Sequence, residues 1–317
     1  MNYSTSLEFP KIANQSLKNA VFITGLPRSG TTLVGQLVST LEKSEYYFEP
    51  PTFYALCCLY QAGEISASSA RQLLEVYLYE DCFLESVLGR KVNLRSTDDS
   101  FFLNSKSQEE LLSRWKTRKN RKDAQQVAHD QKARLVIKMP MIMNCLDFLK
   151  AIFTESKMII VMRSGMSVVH SLVKKKWFEN DYLQTELWPY QQSNSKIPVP
   201  YWVESIYQLE WQHWNVWTRA AYTWSLQSHL TWQWYQSQKH TDHIQIICYE
   251  TLLKDKENVM QALSAWLQQP QTFYTKLMLK KIHHDSIIPL FLDTDLIADH
   301  IMQKFEAANR LWGYSMT

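Results

Sequence analysis

One short apolar run that stops at a glycine constrains this chain more than any other feature. Residues 20–24 read AVFIT and lead into Gly25-Leu26-Pro27-Arg28-Ser29-Gly30-Thr31-Thr32, after which TTLVGQLVSTLEK has a helical pattern. Strand, glycine-bearing turn and helix, in that order, are the frame of a phosphate-binding loop. Backbone N–H groups in such a turn converge on anionic oxygens, and the helix N-terminus adds its dipole. Gly25 and Gly30 permit the tight path, Thr31 and Thr32 supply hydroxyl donors, and Arg28 supplies positive charge. The candidate anion-binding set is therefore Arg28, Ser29, Gly30, Thr31, Thr32 and Leu33.

Further apolar runs at 134–137 (RLVI), 158–162 (MIIVM) and 244–248 (IQIIC) read as buried parallel strands, and 45–48 (EYYF) as a shorter one. Alternation with helical patterns predicts an α/β fold, a parallel sheet of the phosphate-loop type flanked by helices. Between 51 and 133 the pattern is helical and polar, which predicts a helical cap inserted into a single domain spanning 1–317. The length of 317 residues and 45% hydrophobic content suffice for one large core. Residues 204–238 predict one long helix, whose tryptophans at helical spacing suit core packing. The stretch from 114 to 122 holds six Lys or Arg in nine positions and reads as a solvated helix face.

Composition removes several classes of function. A net charge of +3 is too small for a nucleic-acid binder. No stretch approaches the roughly 18 apolar residues that span a bilayer, and the first residues show no secretory pattern. The five cysteines, Cys57, Cys58, Cys82, Cys145 and Cys248, have no metal-ligand spacing and read as reduced thiols. The expectation is a cytoplasmic protein without a membrane span, and oligomeric state is not legible. The 12 Trp and 16 Tyr suit a core, an interface or an acceptor pocket, the last of these shaped by 177–202 and the cap.

The loop departs from the nucleoside-triphosphatase pattern in one decisive position. Thr31 stands where a lysine would reach the outer phosphates, and no strand ends in an obvious acidic magnesium ligand. A nucleotide kinase or hydrolase is thereby disfavoured. A second anion site is predicted at Arg163, where a strand gives way to a helix. Ser171 lies eight residues on, and Lys175 follows it at i+4 on the same helix face. Arg163 and Ser171 can flank one anion only if that helix leans back across the strand end.

Two anion sites, one in the loop and one at Arg163, resemble the sulfotransferase superfamily, which binds 3′-phosphoadenosine 5′-phosphosulfate. The motifs are most similar to those of tyrosylprotein sulfotransferases. These share a Pro-Arg-Ser-Gly-Thr-Thr-Leu loop, matched by Pro27 to Leu33. They share a segment matched by Arg163, Gly165, Val168 or Val169, His170 and Ser171, and a Tyr-Glu-x-Leu segment matched by Tyr249, Glu250 and Leu252. The resemblance covers 20–50, 134–178 and 244–268, so the acceptor pocket is not inherited from it. It implies a glutamate base about twenty residues after the loop arginine, and Glu49 lies 21 residues beyond Arg28. It also implies that Lys138, ending a strand, stabilises the leaving phosphate oxygen and the sulfuryl group, with Arg28 sharing that work.

Two departures from the small-molecule sulfotransferases stand out. Their histidine base follows a strand-end lysine, whereas this chain reads Lys138-Met139-Pro140. Their Arg-Lys-Gly clamp is replaced by Lys280-Lys281-Ile282-His283-His284-Asp285-Ser286, where Lys280, Lys281 or Ser286 are the substitutes. His170 reads as a structural histidine rather than a base. Two further readings remain open here: a tyrosyl-peptide acceptor rather than a small metabolite, and a non-catalytic module that only senses the nucleotide. No metal is required, because the phosphosulfate is already activated.

Overall fold

The computed structural model describes residues 10–185, 191–192, 196–238, 242–282 and 294–315. Five strands form its main sheet: β1 (Val21–Gly25), β2 (Ser44–Phe48), β3 (Arg134–Lys138), β4 (Lys157–Met162) and β5 (Ile244–Cys248). Their order is β2-β3-β1-β4-β5 and every pairing is parallel. β1, at the centre, is buried throughout, as a strand covered on both faces must be. Side chains alternate along it, so Phe22 enters one core while Val21 and Ile23 enter the other.

The helices follow from local signals. α1 (Thr31–Ser39) opens directly from the loop, and α2 (Pro51–Gln61) starts at a proline, which suits a first helical turn. The stretch 51–133 is helical without a strand, and includes α3 (Gln108–Thr117). α4 (Gly165–Lys174) follows β4. α5 (Val216–Ser237) packs on α4 and on α6 (Asp299–Leu311).

The structure corrects the reading of 204–238 as one helix. A 3₁₀ turn (Ser205–Tyr207) and a short helix (Gln208–Trp211) come first, and α5 begins only after Asn215. The Asn215 side chain accepts from Thr218 N, which caps the new helix start. The break folds Trp211 back, where Arg219 Nε donates to its carbonyl at 3.1 Å. Arg219 also donates to Phe178 O and Asn180 Oδ1, so this buried guanidinium is well satisfied. Most of the tryptophan stripe is core, with Trp211, Trp214, Trp224 and Trp234 buried.

The basic run from 114 to 122 is not one solvated face. A break at 118–120 divides it, and Arg114 at its head is buried. Its guanidinium grips Glu45 of β2 through two hydrogen bonds of 2.8 Å. The run looked solvated because lysine and arginine seldom enter a core, and they do so when paired.

The parallel arrangement decides where function sits. Parallel strands place all their carboxyl ends on one edge of the sheet. The chain leaves β1 toward β2 and β3 on one side, then toward β4 on the other. Open α/β sheets bind ligands outside the carboxyl ends at such a switch point.

Candidate active site

At the end of β1 the backbone turns at Gly25, where a Cβ would stand 2.4 Å from Val161 O. The loop closes at Gly30, whose φ of 96° is left-handed. A Cβ on Gly30 would lie 2.2 Å from the Tyr249 ring. Glycine is thus required there twice, by conformation and by space. Gly30 also brings no capping side chain to α1, and the first helical N–H groups have no partner within the helix. That leaves donors for an external anion. Ser29 and Thr31 are buried, and Thr31 and Thr32 line the cavity above.

Arg28 has a φ of 70°, a conformation a non-glycine residue seldom holds without compensation. Its Nε donates to Ser171 Oγ at 3.0 Å. Arg163 Nη1 donates to the Arg28 carbonyl, also at 3.0 Å. The helix carrying Ser171 therefore does lean back, and the loop, Arg163 and Ser171 form one connected group. Lys175 stands outside it, exposed where α4 ends.

Tyr249, which the motif comparison included without a role, organises this group. Its ring packs against Gly30, and the Arg163 guanidinium lies over its face, 4.5 Å from the centroid. Next to it, Glu250 Oε1 accepts from Ser164 N at 3.0 Å and fixes the start of α4. Arg163 Nε is buried and has no hydrogen-bond partner among the described residues. A buried guanidinium N–H left unpaired is costly, and an anion held beside Arg163 would supply the missing acceptor.

The second half of the site comes from β2 and β3. Their register sets Phe48 beside Lys138, and Glu49 N donates to Lys138 O at 2.8 Å. Glu49 has a φ of 45°, and with Arg28 and Met141 it is one of three left-handed non-glycine residues lining the site. Its carboxylate accepts from Lys138 Nζ. The side chain of Lys138 is 2% exposed and that of Glu49 is 40% exposed. Burial draws the Lys138 ammonium below its ordinary pKa, and the Glu49 carboxylate opposes this. The ammonium also rests over the Phe48 ring, 4.3 Å from its centroid.

Arg28, Thr31, Thr32, Glu49 and Lys138 line one cavity of about 420 Å³. Trp177, the first residue of the aromatic segment, is part of its wall. So is Asp99 from the cap, which no sequence signal marked; Gln36 of α1 holds it by donating to its backbone oxygen at 2.9 Å. A smaller cavity of about 300 Å³ lies on the loop's other side, among Leu33, Tyr249 and Lys281. Lys280 is exposed, and Ser286 lies outside the described residues. His170 sits beside Trp217, with ring centroids 6.4 Å apart, consistent with packing.

One edge of a parallel five-stranded sheet thus carries a lysine-free phosphate-type loop, a second cation at the next strand end and a carboxylate–lysine pair. The chain belongs to the sulfotransferase family, whose model matches residues 20–272. Among solved structures, the sulfotransferase domain from the curacin biosynthetic pathway is 14% identical with a TM-score of 0.50, covering 94% of this chain and 99% of that one. The sulfotransferase domain from the Synechococcus PCC 7002 olefin synthase is 15% identical with a TM-score of 0.47, covering 94% and 96%. No curated protein matches. No helix among the described residues is long and apolar enough to cross a membrane.

Proposed function

We propose that this sulfotransferase takes its sulfuryl group from 3′-phosphoadenosine 5′-phosphosulfate and passes it to a hydroxyl, or an amine, of a small acceptor. The observation that carries the reading is the juxtaposition of the two anion sites. Arg163 is bonded to the backbone of Arg28 itself, so one bisphosphorylated nucleotide can engage both. The unpaired Arg163 Nε and the uncapped start of α1 supply waiting donors.

In this reading the donor supplies an activated phosphosulfate bond. The loop amides, Thr31 and Thr32 hold its 5′ end, while Arg163 and Ser171 hold the 3′-phosphate. Lys175 extends toward that group only if its side chain turns inward. Glu49 accepts the proton of the acceptor hydroxyl as its oxygen bonds to sulfur. The bond from sulfur to the bridging oxygen breaks, and the bisphosphate leaves with that electron pair. Lys138 and Arg28 meet the charge that builds on the leaving oxygen and the sulfuryl group. Lys138 is well suited, since it is fixed by Glu49 and shielded from water.

A cavity of about 420 Å³ lies at the small end of the range for ligand sites, which supports a compact acceptor over a peptide. Its one aromatic indole, Trp177, suits a ring. The test is a panel of hydroxylated acceptors with ³⁵S-labelled donor, run beside calorimetry with adenosine 3′,5′-bisphosphate. Arg163→Ala is expected to weaken the nucleotide by about 10- to 100-fold, the scale of a lost charge-assisted contact. Undiminished nucleotide affinity in that variant would remove the second anion site, and absence of affinity in the wild type would remove the donor.

A further inference from the structure

Along the free edge of the sheet, between β2 and the cap, lies a cavity of about 360 Å³ that has no part in the site just described. Glu45 to Phe48 line it from the strand, and Lys91, Asn93, Ser100 and Lys106 line it from the cap. Phe48 also borders the strand-end cavity, as does Asp99, the neighbour of Ser100, so the two spaces adjoin.

Lys106 is 8% exposed, and among the described residues its ammonium makes no hydrogen bond and no ion pair. Lysine almost never enters a protein interior unpaired, because its charge loses water and gains nothing in return. The ammonium is not sealed off, and the surface it retains belongs to this cavity. The other charges on the lining are matched. Lys91 donates to Asp81 at 2.7 Å, and Glu45 is gripped by Arg114. Lys106 stands near enough to Glu45 to help hold that carboxylate ionised, yet beyond ion-pair distance. One surplus positive charge remains, which favours a monoanion over a dianion that Glu45 would repel.

Neutral donors border the same space. Arg134 N donates to Lys43 O and Glu49 N donates to Lys138 O, so β2 pairs with β3 through Lys43, Glu45, Tyr47 and Glu49. In a parallel ladder the N–H groups of the alternate residues point the other way. Those of Tyr46 and Phe48 thus face outward from the last strand of the sheet, and no hydrogen bond accounts for either among the described residues. Ser100 Oγ accepts from Asn93 Nδ2 at 2.8 Å, and its own proton has no acceptor among the described residues. An ammonium, a hydroxyl and outward amides, with the one carboxylate on the lining already matched, suit an acid group.

We propose that this cavity binds the carboxylate of a small organic acid, with Lys106 as its counter-charge and Ser100 as a hydroxyl donor. The volume suits a compact body of one ring. The proposal does not depend on the donor, the base or the acceptor of the transfer reaction. Its test uses the full chain, calorimetry and two probes of one shape, 3-phenylpropionate and 3-phenylpropanamide. The acid is expected to bind about tenfold more tightly than the amide, the scale of a charge-assisted hydrogen bond. Lys106→Met replaces the ammonium with an apolar chain of similar length and should erase that preference, whereas Lys106→Arg should keep it. Ser100→Ala leaves the Glu45–Arg114 pair untouched and should weaken the acid about threefold. Arg163→Ala removes a cation of the strand-end group and should leave acid binding unchanged. Melting temperatures report whether each variant is folded. Equal affinity for acid and amide, a preference that survives Lys106→Met, or acid binding lost in Arg163→Ala would each overturn the proposal. Should Lys106→Met fail to fold, undiminished acid affinity in Ser100→Ala would overturn it instead.

Discussion

Two glutamates four residues apart, one within β2 and one just past its end, face two cations and have opposite fates. Glu45 meets Arg114 in the interface between sheet and cap. Both side chains are almost wholly buried, at 5% and 1% exposure, and Ser86 Oγ also donates to the carboxylate at 2.6 Å. Glu49 meets Lys138 at the strand end, where only the lysine is buried. Glu45 keeps regular strand geometry, whereas Glu49 sits at a left-handed φ. The first pair is sealed from solvent and tied by several hydrogen bonds, with Arg114 Nε alone lacking a partner among the described residues. The second leaves the carboxylate partly open to a cavity and holds it in a conformation the backbone would not choose alone. Complete burial marks a joint, and openness combined with strain marks a working group.

The comparison is sharpened most by substitution at Glu49. Glu49→Gln keeps shape and removes the base, so turnover is expected to fall by about 10²- to 10⁴-fold while nucleotide affinity holds within about twofold. Steady-state kinetics beside calorimetry measure both, and unchanged turnover would end the assignment. The reverse pattern is expected for the other pair. Arg114→Ala strands a buried carboxylate and should cost about 3–5 kcal/mol of stability in denaturant melts. The folded fraction of that variant should keep its acceptor kinetics, because Arg114 does not line the strand-end cavity.

Acid separates the pairs more gently. Burial alone would raise the Glu45 pKa, but Arg114, Lys106 and the hydrogen bonds outweigh it and bring it to about 2 from 4.5. A depressed carboxylate contributes stability above its unfolded pKa and loses it as pH falls toward the folded one. Stability worth roughly 3 kcal/mol should therefore disappear between about pH 4.5 and pH 2. Glu45→Gln should flatten that part of a pH-dependent melting series, and a series that stays as steep would refute the account. The smallest effect concerns strain. Glu49→Gly and Glu49→Ala both strand the buried Lys138 ammonium and abolish turnover, and the glycine variant, free of the left-handed penalty, should be the more stable of the two by about 1 kcal/mol. Equal melting temperatures for the two variants would show that the φ of Glu49 is not strained.

Much of this site was legible because its signals are local. The order strand, glycine turn, helix can be read without a partner, and it identified residues 25–33. Arg163 was found in the same way, at a strand-to-helix junction. Lys138 and Glu49 needed the family resemblance, since a lysine before Met-Pro and a glutamate before Pro-Pro carry no local pattern. Asp99 and the organising role of Tyr249 escaped, because each acts through a contact across the fold. Arg114 was misread because a run of bases looks solvated until its partner, 69 residues away, is known.

By itself, then, the sequence determined the parallel sheet, the loop and the sign of charge at the strand ends. These depend on side-chain periodicity and backbone permission, which are properties of neighbours along the chain. Tertiary structure alone decided that Arg163 reaches the loop backbone, that Ser171 faces Arg28, and that the glutamate within β2 is sealed while the one just past its end stays open. Those outcomes depend on strand order and on how far the cap extends over β2, and neither is encoded within any short segment.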